Sequence, residues 1–534
     1  MNSPSDTAAF ADLLQALQQP SCYLHPPEQV EMIQTHISAV FLVGEEVYKL
    51  KKPVRFPFVD YSTLALRHHY CQEEVRLNRR LAPTTYLGVM PVLHIGDDYR
   101  IRDAAQWPEA TIIDYLVKMR RLPAERTLQA LLATGGIGAD ELRNLANRLA
   151  QFHRTATLDN AAVYGAPPAI WQAVAENFAE TQCFVGQTIS ERRYQTMQDF
   201  SQQFFAEHRS LMARRVLHER VRDGHGDLRC EHVYFLEHGL EIVDCLEFSP
   251  RLRTCDVASE LAFLTMDMEL HGAPRHAAEL TDLYATQTDD AELITLLPFY
   301  RCYRAYVRGK VESLKSCQPE VPAREQERAR WQARRAFRLA SRYAQGNPVP
   351  TLLVVCGRVG TGKSTVAQLL GTHTGFAVFN SDVVRKRLGG VAPTTRANAE
   401  YHGGIYDEDF TRRTYTALSA HAEEELRTGR GVIIDATCRQ RDVRHELLAL
   451  GARLAVPVMF VECRTSLDEV KRRLRERAQQ ADTVSDATWE IALQQEDDFP
   501  SFDDLPEACH WVVETADDLD AALAPVEEAL YGKR

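Results

Sequence analysis

The stretch Gly357 to Ser364, GRVGTGKS, decides how the C-terminal part of this chain folds. It fits the pattern of a glycine, four residues, then Gly-Lys-Ser, which is typical of a loop that binds phosphate. The apolar run from Thr351 to Cys356 predicts a buried parallel strand before it, and Ser364 to Leu370 predicts the first turns of a helix. In that setting the glycines let successive N–H groups and the positive helix end face one anion. The stretch therefore predicts a nucleotide site.

We expect the whole loop and the residue after it to contact the nucleotide: Gly357, Arg358, Val359, Gly360, Thr361, Gly362, Lys363, Ser364 and Thr365. Lys363 is expected to reach the outer phosphates, and the Ser364 hydroxyl is expected to bind Mg²⁺. ATP and Mg²⁺ are the expected cofactors, although the loop pattern alone does not separate ATP from GTP. The pattern is silent on the group that accepts phosphate.

After the loop, short apolar runs alternate with helical segments. The runs expected to form strands are Phe376 to Phe379, Gly431 to Ile434, Val456 to Val461 and His510 to Glu514. This alternation predicts a doubly wound parallel sheet, which binds ligands at the carboxyl ends of its strands. Asp382 and Asp435 each follow a predicted strand. We expect Asp382 to take a proton from an acceptor hydroxyl, or to cap the helix from Val383 onward, and Asp435 to orient Mg²⁺ through water.

Composition sets the class of protein. The chain has 534 residues, 45% of them apolar, a formal net charge of −12 and 12 scattered cysteines without metal-ligand spacing. These values predict several domains in a reduced, cytoplasmic protein without a membrane span. The acidic balance argues against a nucleic-acid partner, because binding to phosphate backbones relies on a basic excess. The basic stretch from Pro298 to Tyr343 favours a solvated amphipathic helix over a nucleic-acid surface.

The N-terminal part begins with a short helix around Phe10 to Leu17, followed by a helix-like segment after Pro27. Two strands then form a predicted hairpin, with Val40 to Val43 in the first and Val47 to Lys51 in the second. Alternation places Lys49 and Lys51 on one face of the second strand. Glu74 follows in a segment of helical period. A strand lysine paired with a helix glutamate holds nucleotide phosphates in eukaryotic-type kinases, whereas a solvated face is the simpler interpretation.

A second motif follows, His225-Gly-Asp227-Leu, with Asp244 seventeen positions after Asp227. It resembles the aminoglycoside phosphotransferase and choline-kinase-like branch of the protein-kinase fold. The resemblance implies that Asp227 is the catalytic base toward a hydroxyl and that Asp244 holds Mg²⁺. The segments Leu142 to His153 and Asp256 to Phe263 are similar to the helices that flank the catalytic loop in that family.

The chain departs from this family at one position. The family usually has asparagine as a second metal ligand five residues after the catalytic aspartate, and here the residue is His232. Neutral imidazole binds metals, but Mg²⁺ prefers oxygen. Three alternatives follow: a one-metal enzyme, a different metal, or a kinase-shaped domain that binds without turnover. Glu247, three residues after Asp244, is a candidate for the missing oxygen ligand.

The C-terminal part resembles P-loop kinases of the zeta-toxin, polynucleotide-kinase and gluconate-kinase type. The matching stretches are the loop, Ser381-Asp-x-x-Arg385, VIIDAT with Asp435 as its fourth residue, and RLRERA at Arg473 to Ala478 followed by Ser485-Asp486-Ala487. The resemblance implies that Arg473 and Arg477 lie on a lid over the transferred phosphoryl group. A basic helix end is the alternative explanation for Arg473 and Arg477. Arg385 is close enough to Asp382 to bind an anionic acceptor such as a phosphate, and a surface ion pair explains it equally well.

Together, the two halves resemble bacterial bifunctional aminoglycoside phosphotransferase/ATP-binding proteins. We therefore expect an α+β protein-kinase-like domain at 1–345, with a small lobe at about 28–120 and a helical lobe at about 121–345. A linker at 346–350 and an α/β P-loop NTPase domain at 351–534 follow. The leading hypothesis is an ATP- and Mg²⁺-dependent kinase acting on a hydroxyl of a small molecule. The alternatives are a nucleotide-gated regulatory protein with a non-catalytic N-terminal domain, and a polynucleotide-end kinase.

Overall fold

The computed structural model describes residues 4–56, 59–96, 98–158, 160–319, 321–391, 407–478, 489–516 and 519–531. The chain divides into two compact units. The first unit comprises Met1–Ala179 and Gln202–Arg304, and the second comprises Glu180–Ser201 and Ala305–Arg534. Residues 180–201 and 305–345 are thus compact with the P-loop part of the chain. The linker predicted at 346–350 stays a prediction, because a division into compact units does not show which segments fold independently.

The first unit begins with antiparallel structure. Among the described residues, its main sheet has six strands in the order β1-β2-β3-β8-β6-β7. The strands of the unit are β1 (Glu31–Gln34), β2 (Ser38–Val43), β3 (Glu46–Lys51), β4 (Arg55–Phe56), β5 (Val59–Asp60), β6 (Tyr86–Ile95), β7 (Asp98–Ile101), β8 (Thr111–Arg120), β9 (Val221–Asp223), β10 (Val233–Leu236), β11 (Gly239–Ile242) and β12 (Thr254–Asp256). Alternating apolar residues such as Phe41, Leu50 and Leu116 form the core on one face of the main sheet.

The predicted hairpin is confirmed, with β2 and β3 paired antiparallel from Ser38 opposite Lys51 to Val43 opposite Glu46. The helix-like segment predicted after Pro27 is wrong, because Glu31–Gln34 is a strand that pairs antiparallel with β2. Most of this strand is exposed. Its local sequence therefore carries little strand signal, and hydrogen bonding to β2 decides its conformation.

Helices form the rest of the first unit, as predicted for a kinase-like helical lobe. They are α1 (Pro4–Leu17), α2 (Leu64–Asn78), α3 (Leu128–Thr134), α4 (Ala139–Thr155), α5 (Ala161–Gly165), α6 (Pro167–Thr181), α7 (Glu191–Leu217), α8 (Pro250–Arg253), α9 (Val257–Leu270), α10 (Pro274–Thr288) and α11 (Glu292–Ser316). The last residues of α6, the first turns of α7 and the second half of α11 belong to the second unit. Helix α9 is buried along nearly its whole length and packs against α10.

The second unit is a doubly wound α/β fold, as predicted. Its strands are β13 (Leu352–Cys356), β14 (Ala377–Asn380), β15 (Val432–Asp435), β16 (Val458–Arg464) and β17 (His510–Glu514). In the described residues they form one sheet in the order β14-β15-β13-β16-β17, with every neighbouring pair parallel. Leu352 and Val354 face one apolar core while Leu353 and Val355 face another. Both faces are therefore covered, as parallel sheets require.

The remaining helices are α12 (Ala323–Gln345), α13 (Lys363–Thr374), α14 (Ser381–Leu388), α15 (Glu408–Arg427), α16 (Arg441–Leu454), α17 (Leu467–Ala478), α18 (Trp489–Asp498) and α19 (Leu519–Leu530). The basic stretch predicted as one solvated helix is divided between α11 and α12. Arg338 of α12 is buried, and it pairs with the buried Glu527 of α19, which also pairs with Arg193 at 2.6 Å. A buried carboxylate needs such partners, because its desolvation is costly. No helix in the described part of the chain is long and apolar enough to span a membrane.

Candidate active sites

The phosphate-loop sequence joins β13 to α13 with left-handed backbone at three glycines. Gly357, Gly360 and Gly362 have φ values of 122°, 79° and 91°. A Cβ atom on Gly357 would lie 2.7 Å from the Cys463 carbonyl oxygen, and one on Gly362 would lie 2.9 Å from a guanidinium nitrogen of Arg473. Both the backbone conformation and the space around the loop therefore require glycine.

The polar residues of the loop lie where phosphate contact is predicted. The Lys363 amine donates to the Arg358 carbonyl oxygen at 2.7 Å. Ser364 and Thr365 are exposed in the first turn of α13. Thr361 is buried, and its carbonyl oxygen accepts a hydrogen bond from the Thr515 hydroxyl at 2.6 Å. The hydrogen bond from Thr515 thus holds the backbone of the loop, while its lysine and hydroxyl groups stay near the surface.

Asp435 ends β15 at the carboxyl edge of the parallel sheet and is 3% exposed. Asn380, at the end of β14, lies opposite Asp435 in the sheet register. Its Nδ2 donates to Asp435 Oδ2 at 2.6 Å. Sequence reasoning missed Asn380, although an asparagine directly before a predicted helix is a recognisable capping signal.

The other end of the same amide organises α14. Asn380 Oδ1 accepts hydrogen bonds from the backbone N–H groups of Asp382 at 2.9 Å and Val383 at 3.1 Å. The suggestion that Asp382 caps this helix is therefore wrong, because Asn380 is the N-cap and Asp382 lies inside the first turn. Asp382 and Asp435 are thus connected through one side chain. The role of Asp382 as a base toward a hydroxyl stays a prediction.

Arg473 of α17 is anchored beside the phosphate loop. Its guanidinium donates to Glu469 Oε1 at 2.7 Å, to the Thr515 hydroxyl at 2.9 Å and to the Thr515 carbonyl oxygen at 2.6 Å. A cavity of about 330 Å³ opens next to it. The described residues that line the cavity are Gly362, Thr365, Arg473, Glu476, Arg477, Thr515 and Leu519. Both predicted lid arginines therefore share a cavity with the end of the phosphate loop.

Two further predicted elements belong to this part of the chain. Arg385 is buried in α14, and its Nη1 donates to the Thr411 hydroxyl at 3.1 Å. It therefore contacts α15 from a buried position, and its proposed contact with an anionic acceptor stays a prediction. The stretch Ser485-Asp486-Ala487 lies outside the described residues.

In the first unit, Lys49 and Lys51 of β3 share Glu74 of α2. Lys49 Nζ lies 2.9 Å from Glu74 Oε1, and Lys51 Nζ lies 2.6 Å from Glu74 Oε2. Glu74 and Lys51 are completely buried. The predicted lysine and glutamate pair is therefore present, and the alternative of a solvated strand face is wrong.

The two lysines differ in their second partner. Lys49 Nζ lies 2.9 Å from Asp244 Oδ1, whereas Lys51 pairs with Glu247. Although burial opposes it, Asp244 and Glu74 raise the pKa of Lys49 above its ordinary range. Lys49 in turn lowers the pKa of Asp244. Lys49 is therefore the lysine that reaches the predicted metal carboxylate, and Lys51 holds buried carboxylates in place.

Glu247 has a different position from the one suggested for a metal ligand. Its carboxylate is buried, pairs with Lys51 and accepts a hydrogen bond from the Tyr61 hydroxyl. The Lys51 ammonium also lies 4.9 Å from the centre of the Tyr61 ring. Through these contacts Glu247 stabilises the buried ammonium group of Lys51.

The loop that carries Asp227 is fixed by Glu260 of α9. Glu260 Oε1 accepts the backbone N–H groups of His225 and Gly226, each at 2.6 Å, and Oε2 lies 2.9 Å from His153 Nε2. A Cβ atom on Gly224 would lie 2.3 Å from the Glu260 carboxylate. Although burial opposes it, the hydrogen bond from His153 helps to lower the pKa of Glu260 to about 2. Glu260 and His153, from two distant stretches of sequence, thus support this loop.

The predicted catalytic and metal residues of the first unit meet at the end of this loop. Arg229 holds Asp227 with two hydrogen bonds, Nε to Oδ1 at 3.0 Å and Nη2 to Oδ2 at 2.9 Å. His232 Nδ1 lies 2.8 Å from the Asp227 carbonyl oxygen, and its Nε2 lies 3.7 Å from Asp244 Oδ2. Across the described ranges, no group of three or more His, Cys, Asp or Glu side chains is arranged to hold a metal ion. Arg229 is a site residue that sequence reasoning missed.

Comparisons with known proteins identify a domain family in the second unit and relatives of most of the chain. The AAA domain family matches residues 352–500, which include the phosphate loop. Uncharacterized protein Rv2004c of Mycobacterium tuberculosis and uncharacterized protein Mb2027c of Mycobacterium bovis are each 30% identical to this chain over 481 residues. Each alignment covers 88% of this chain and 91% of the relative.

Two solved structures are similar to stretches of this chain. A gluconokinase from Sinorhizobium meliloti is 20% identical with a TM-score of 0.25, covering 35% of this chain and 99% of that chain. A choline kinase from Cryptosporidium parvum is 9% identical with a TM-score of 0.39, covering 62% of this chain and 95% of that chain. The predicted order, an α+β unit with an antiparallel sheet followed by an α/β unit that contains the phosphate loop, is confirmed by the chain's own strand topology and by the AAA domain match.

Proposed function

The chain belongs to the same family as these mycobacterial proteins, and we propose that it is an ATP- and Mg²⁺-dependent kinase that phosphorylates a hydroxyl of a small molecule. The observation that supports this most is the carboxyl edge of the parallel sheet. There Asn380 connects the buried Asp435 to the helix that carries Asp382. Asp435 is also the sheet partner of Val355, near the end of the strand from which the phosphate loop starts. An ordered arrangement of this kind favours phosphoryl transfer over simple binding.

The donor groups of the second unit fit the expected cofactors. The Ser364 hydroxyl and the Asp435 carboxylate offer oxygen atoms, which Mg²⁺ prefers. When bound, the metal offsets charge on the phosphates and orients them for in-line transfer. In this proposal Lys363 leaves the Arg358 carbonyl oxygen and binds the outer phosphates of ATP.

Asp382 accepts the proton of the acceptor hydroxyl as the new O–P bond forms and the bond to ADP breaks. Arg473 and Arg477 offset charge that develops on the transferred group, because both line the cavity beside Gly362 and Thr365. The bonds from Arg473 to Thr515 hold its guanidinium in a fixed direction, which limits the reorganisation needed during transfer.

The first unit is proposed to bind nucleotide through Lys49, with Asp244 as the carboxylate nearest the phosphates. Glu74 holds Lys49 in position, and Lys51 in turn holds Glu74, so that the three side chains form one network. Asp227 is the proposed base toward an acceptor hydroxyl. For Asp227 to act, the acceptor hydroxyl must reach a lone pair of the carboxylate that the two bonds from Arg229 leave open.

That requirement favours a second candidate function for this unit. Arg229 engages both oxygens of Asp227, and charge-assisted bidentate pairs are strong. If the pairing with Arg229 keeps the acceptor hydroxyl away from Asp227, the unit binds nucleotide without transferring phosphate. In this alternative the first unit is a nucleotide-gated regulator of the P-loop kinase.

Transfer of labelled γ-phosphate from ATP into a metabolite extract tests these proposals. The variants are Lys363→Met and Asp227→Asn. Their matched controls are Lys310→Met, which breaks an ion pair with Glu180, and Asp140→Asn on an exposed helix turn. A parallel reaction contains 5′-hydroxyl oligonucleotides.

Products lost only with Lys363→Met support a P-loop kinase with a regulatory first unit. Different products lost in each variant support two kinases. Labelling of the oligonucleotide instead of metabolites would favour a polynucleotide-end kinase. If wild-type protein labels nothing in an extract that supports a reference kinase, the proposed enzyme function is wrong.

A further inference from the structure

His232 of the first unit has a fixed orientation that selects which of its nitrogen atoms is available. The side chain is buried, and Nδ1 lies 2.8 Å from the Asp227 carbonyl oxygen. A carbonyl oxygen only accepts hydrogen bonds, so Nδ1 carries the proton. Nε2 therefore presents a lone pair. Arg229 Nη2 lies 3.4 Å from Nε2, which agrees with an acceptor at that position, and this long hydrogen bond is replaced when a metal ion binds there.

This nitrogen atom lies near the oxygen of Asp244 that Lys49 does not hold. Glu231 Oε1 lies 3.8 Å from the same nitrogen, but it is paired with Arg229. His232 Nε2 lies 3.7 Å from Asp244 Oδ2, while Asp244 Oδ1 is held by Lys49. Asp244 has a φ of 65°, rare for a residue other than glycine, and its backbone N–H donates to the Tyr86 hydroxyl at 3.1 Å. Neighbouring ligands of an octahedral ion with bonds near 2.1 Å lie about 3 Å apart. A small approach of the two side chains therefore brings them to chelating distance.

The ligand chemistry is not that of a magnesium site. Mg²⁺ is bound by oxygen atoms, whereas imidazole suits first-row transition metals. We propose that the first unit binds a transition-metal dication such as Mn²⁺, held jointly by His232 Nε2 and Asp244 Oδ2. The inference rests on the proposed binding of nucleotide by this unit, because two protein ligands leave the other positions to phosphate oxygens and water. Metal binding at this site therefore requires nucleotide.

Pulsed electron paramagnetic resonance on the full-length protein tests the proposal, with Mn²⁺ and a non-hydrolysable ATP analogue. Nitrogen coupling from imidazole is expected in the wild type. It should disappear in His232→Asn and His232→Gln and persist in Asp435→Asn, which alters the second unit. In the Lys363→Met variant, where the phosphate loop lacks its lysine, the analogue should bind at least about 10-fold more tightly with Mn²⁺ than with Mg²⁺. Adding His232→Asn to that variant should remove the preference.

The possible failures are distinguishable. If the analogue binds the Lys363→Met variant with Mn²⁺ but wild type shows no nitrogen coupling, the metal inference is wrong while nucleotide binding by the first unit stands. If Lys363→Met abolishes binding of the analogue with every metal, both the inference and the proposed nucleotide role of the first unit are wrong. Coupling that survives in both His232 variants also overturns the inference, because another residue then supplies the nitrogen.

Discussion

Asn380 Nδ2 donates a hydrogen bond of 2.6 Å to Asp435 Oδ2, and the same side chain caps α14 through its Oδ1. The two residues are also direct partners in the register of β14 and β15. One amide thus links the carboxylate proposed to orient the metal with the helix that carries Asp382. The orientation of Asp435 and the start of α14 consequently depend on each other.

Replacement of Asn380 separates these two roles. Asn380→Ala removes both, so unfolding of the second unit should require about 0.5–2 kcal/mol less free energy. Asn380→Ser keeps a capping oxygen and should retain most of that stability. Both variants lose the bond to Asp435, and phosphate transfer should fall about 10- to 100-fold. Denaturant unfolding and initial rates check the prediction; equal activity in Asn380→Ser and wild type would contradict it.

Lys363→Met should reduce phosphate transfer by the second unit by at least about 100-fold, because it removes the positive charge aimed at the transferred group. The apolar stem is preserved, so thermal stability should change little. The Lys310→Met protein controls for loss of a lysine charge elsewhere in the same unit. Retained transfer in Lys363→Met would place the reaction in the first unit.

Loss of Lys51 should mainly reduce stability, whereas loss of Lys49 should mainly weaken nucleotide binding by the first unit. Lys51→Met leaves Glu74 and Glu247 buried with one counter-charge fewer, and the cost to folding should be about 3–5 kcal/mol. Lys49→Met leaves Glu74 paired with Lys51. It should therefore affect stability less and weaken nucleotide binding by the first unit. Thermal unfolding and titration with an ATP analogue measure the two effects, and a reversed order of stability would contradict the assignment.

The pKa of Glu260 predicts how the first unit responds to acid. Its pKa falls from an ordinary value of 4.5 to about 2 on folding, so the unfolded chain binds the proton first. The associated stability is complete above about pH 4.5 and is lost as the pH falls toward 2. The loss is about 3 kcal/mol. Glu260→Gln should be less stable at pH 7 and show a flatter decline over this window.

Thermal unfolding from pH 7 to pH 2.5 measures this effect, with Glu207→Gln as the control on an exposed helix surface. An unchanged acid decline in Glu260→Gln would show that other carboxylates dominate it.

Gly224→Ala should disturb the Asp227 loop more than an alanine at a glycine whose nearest neighbour is a flexible side chain disturbs its surroundings. Its Cβ would lie 2.3 Å from the Glu260 carboxylate, so the anchor of the loop must move. We expect a loss of more than about 2 kcal/mol of stability and weaker nucleotide binding by the first unit. Gly136→Ala is the matched control, because its nearest neighbour is a flexible Leu131 methyl group at 3.1 Å. Similar melting of both variants would show that the loop tolerates displacement of Glu260.

Prediction from sequence succeeded where the signal is local. The β2–β3 hairpin, the parallel strands and the glycine-rich loop each follow from residue spacing within a short segment. It failed for β1, whose exposed residues carry little pattern and whose conformation depends on pairing with β2. It also misjudged the helix cap at Asp382, since Asn380 two positions earlier fills that role.

The amino-acid sequence by itself determined where the phosphate loop lies, that an α/β sheet surrounds it, and that an Asp227–Asp244 motif precedes it. These features follow from the spacing of apolar residues and from the positions of glycines, both of which can be read within a short segment of sequence. Only the tertiary structure decided that Lys49 rather than Lys51 reaches Asp244, since that pair is 195 residues apart in sequence. Side-chain partners at such separations are fixed by packing, which no local pattern encodes.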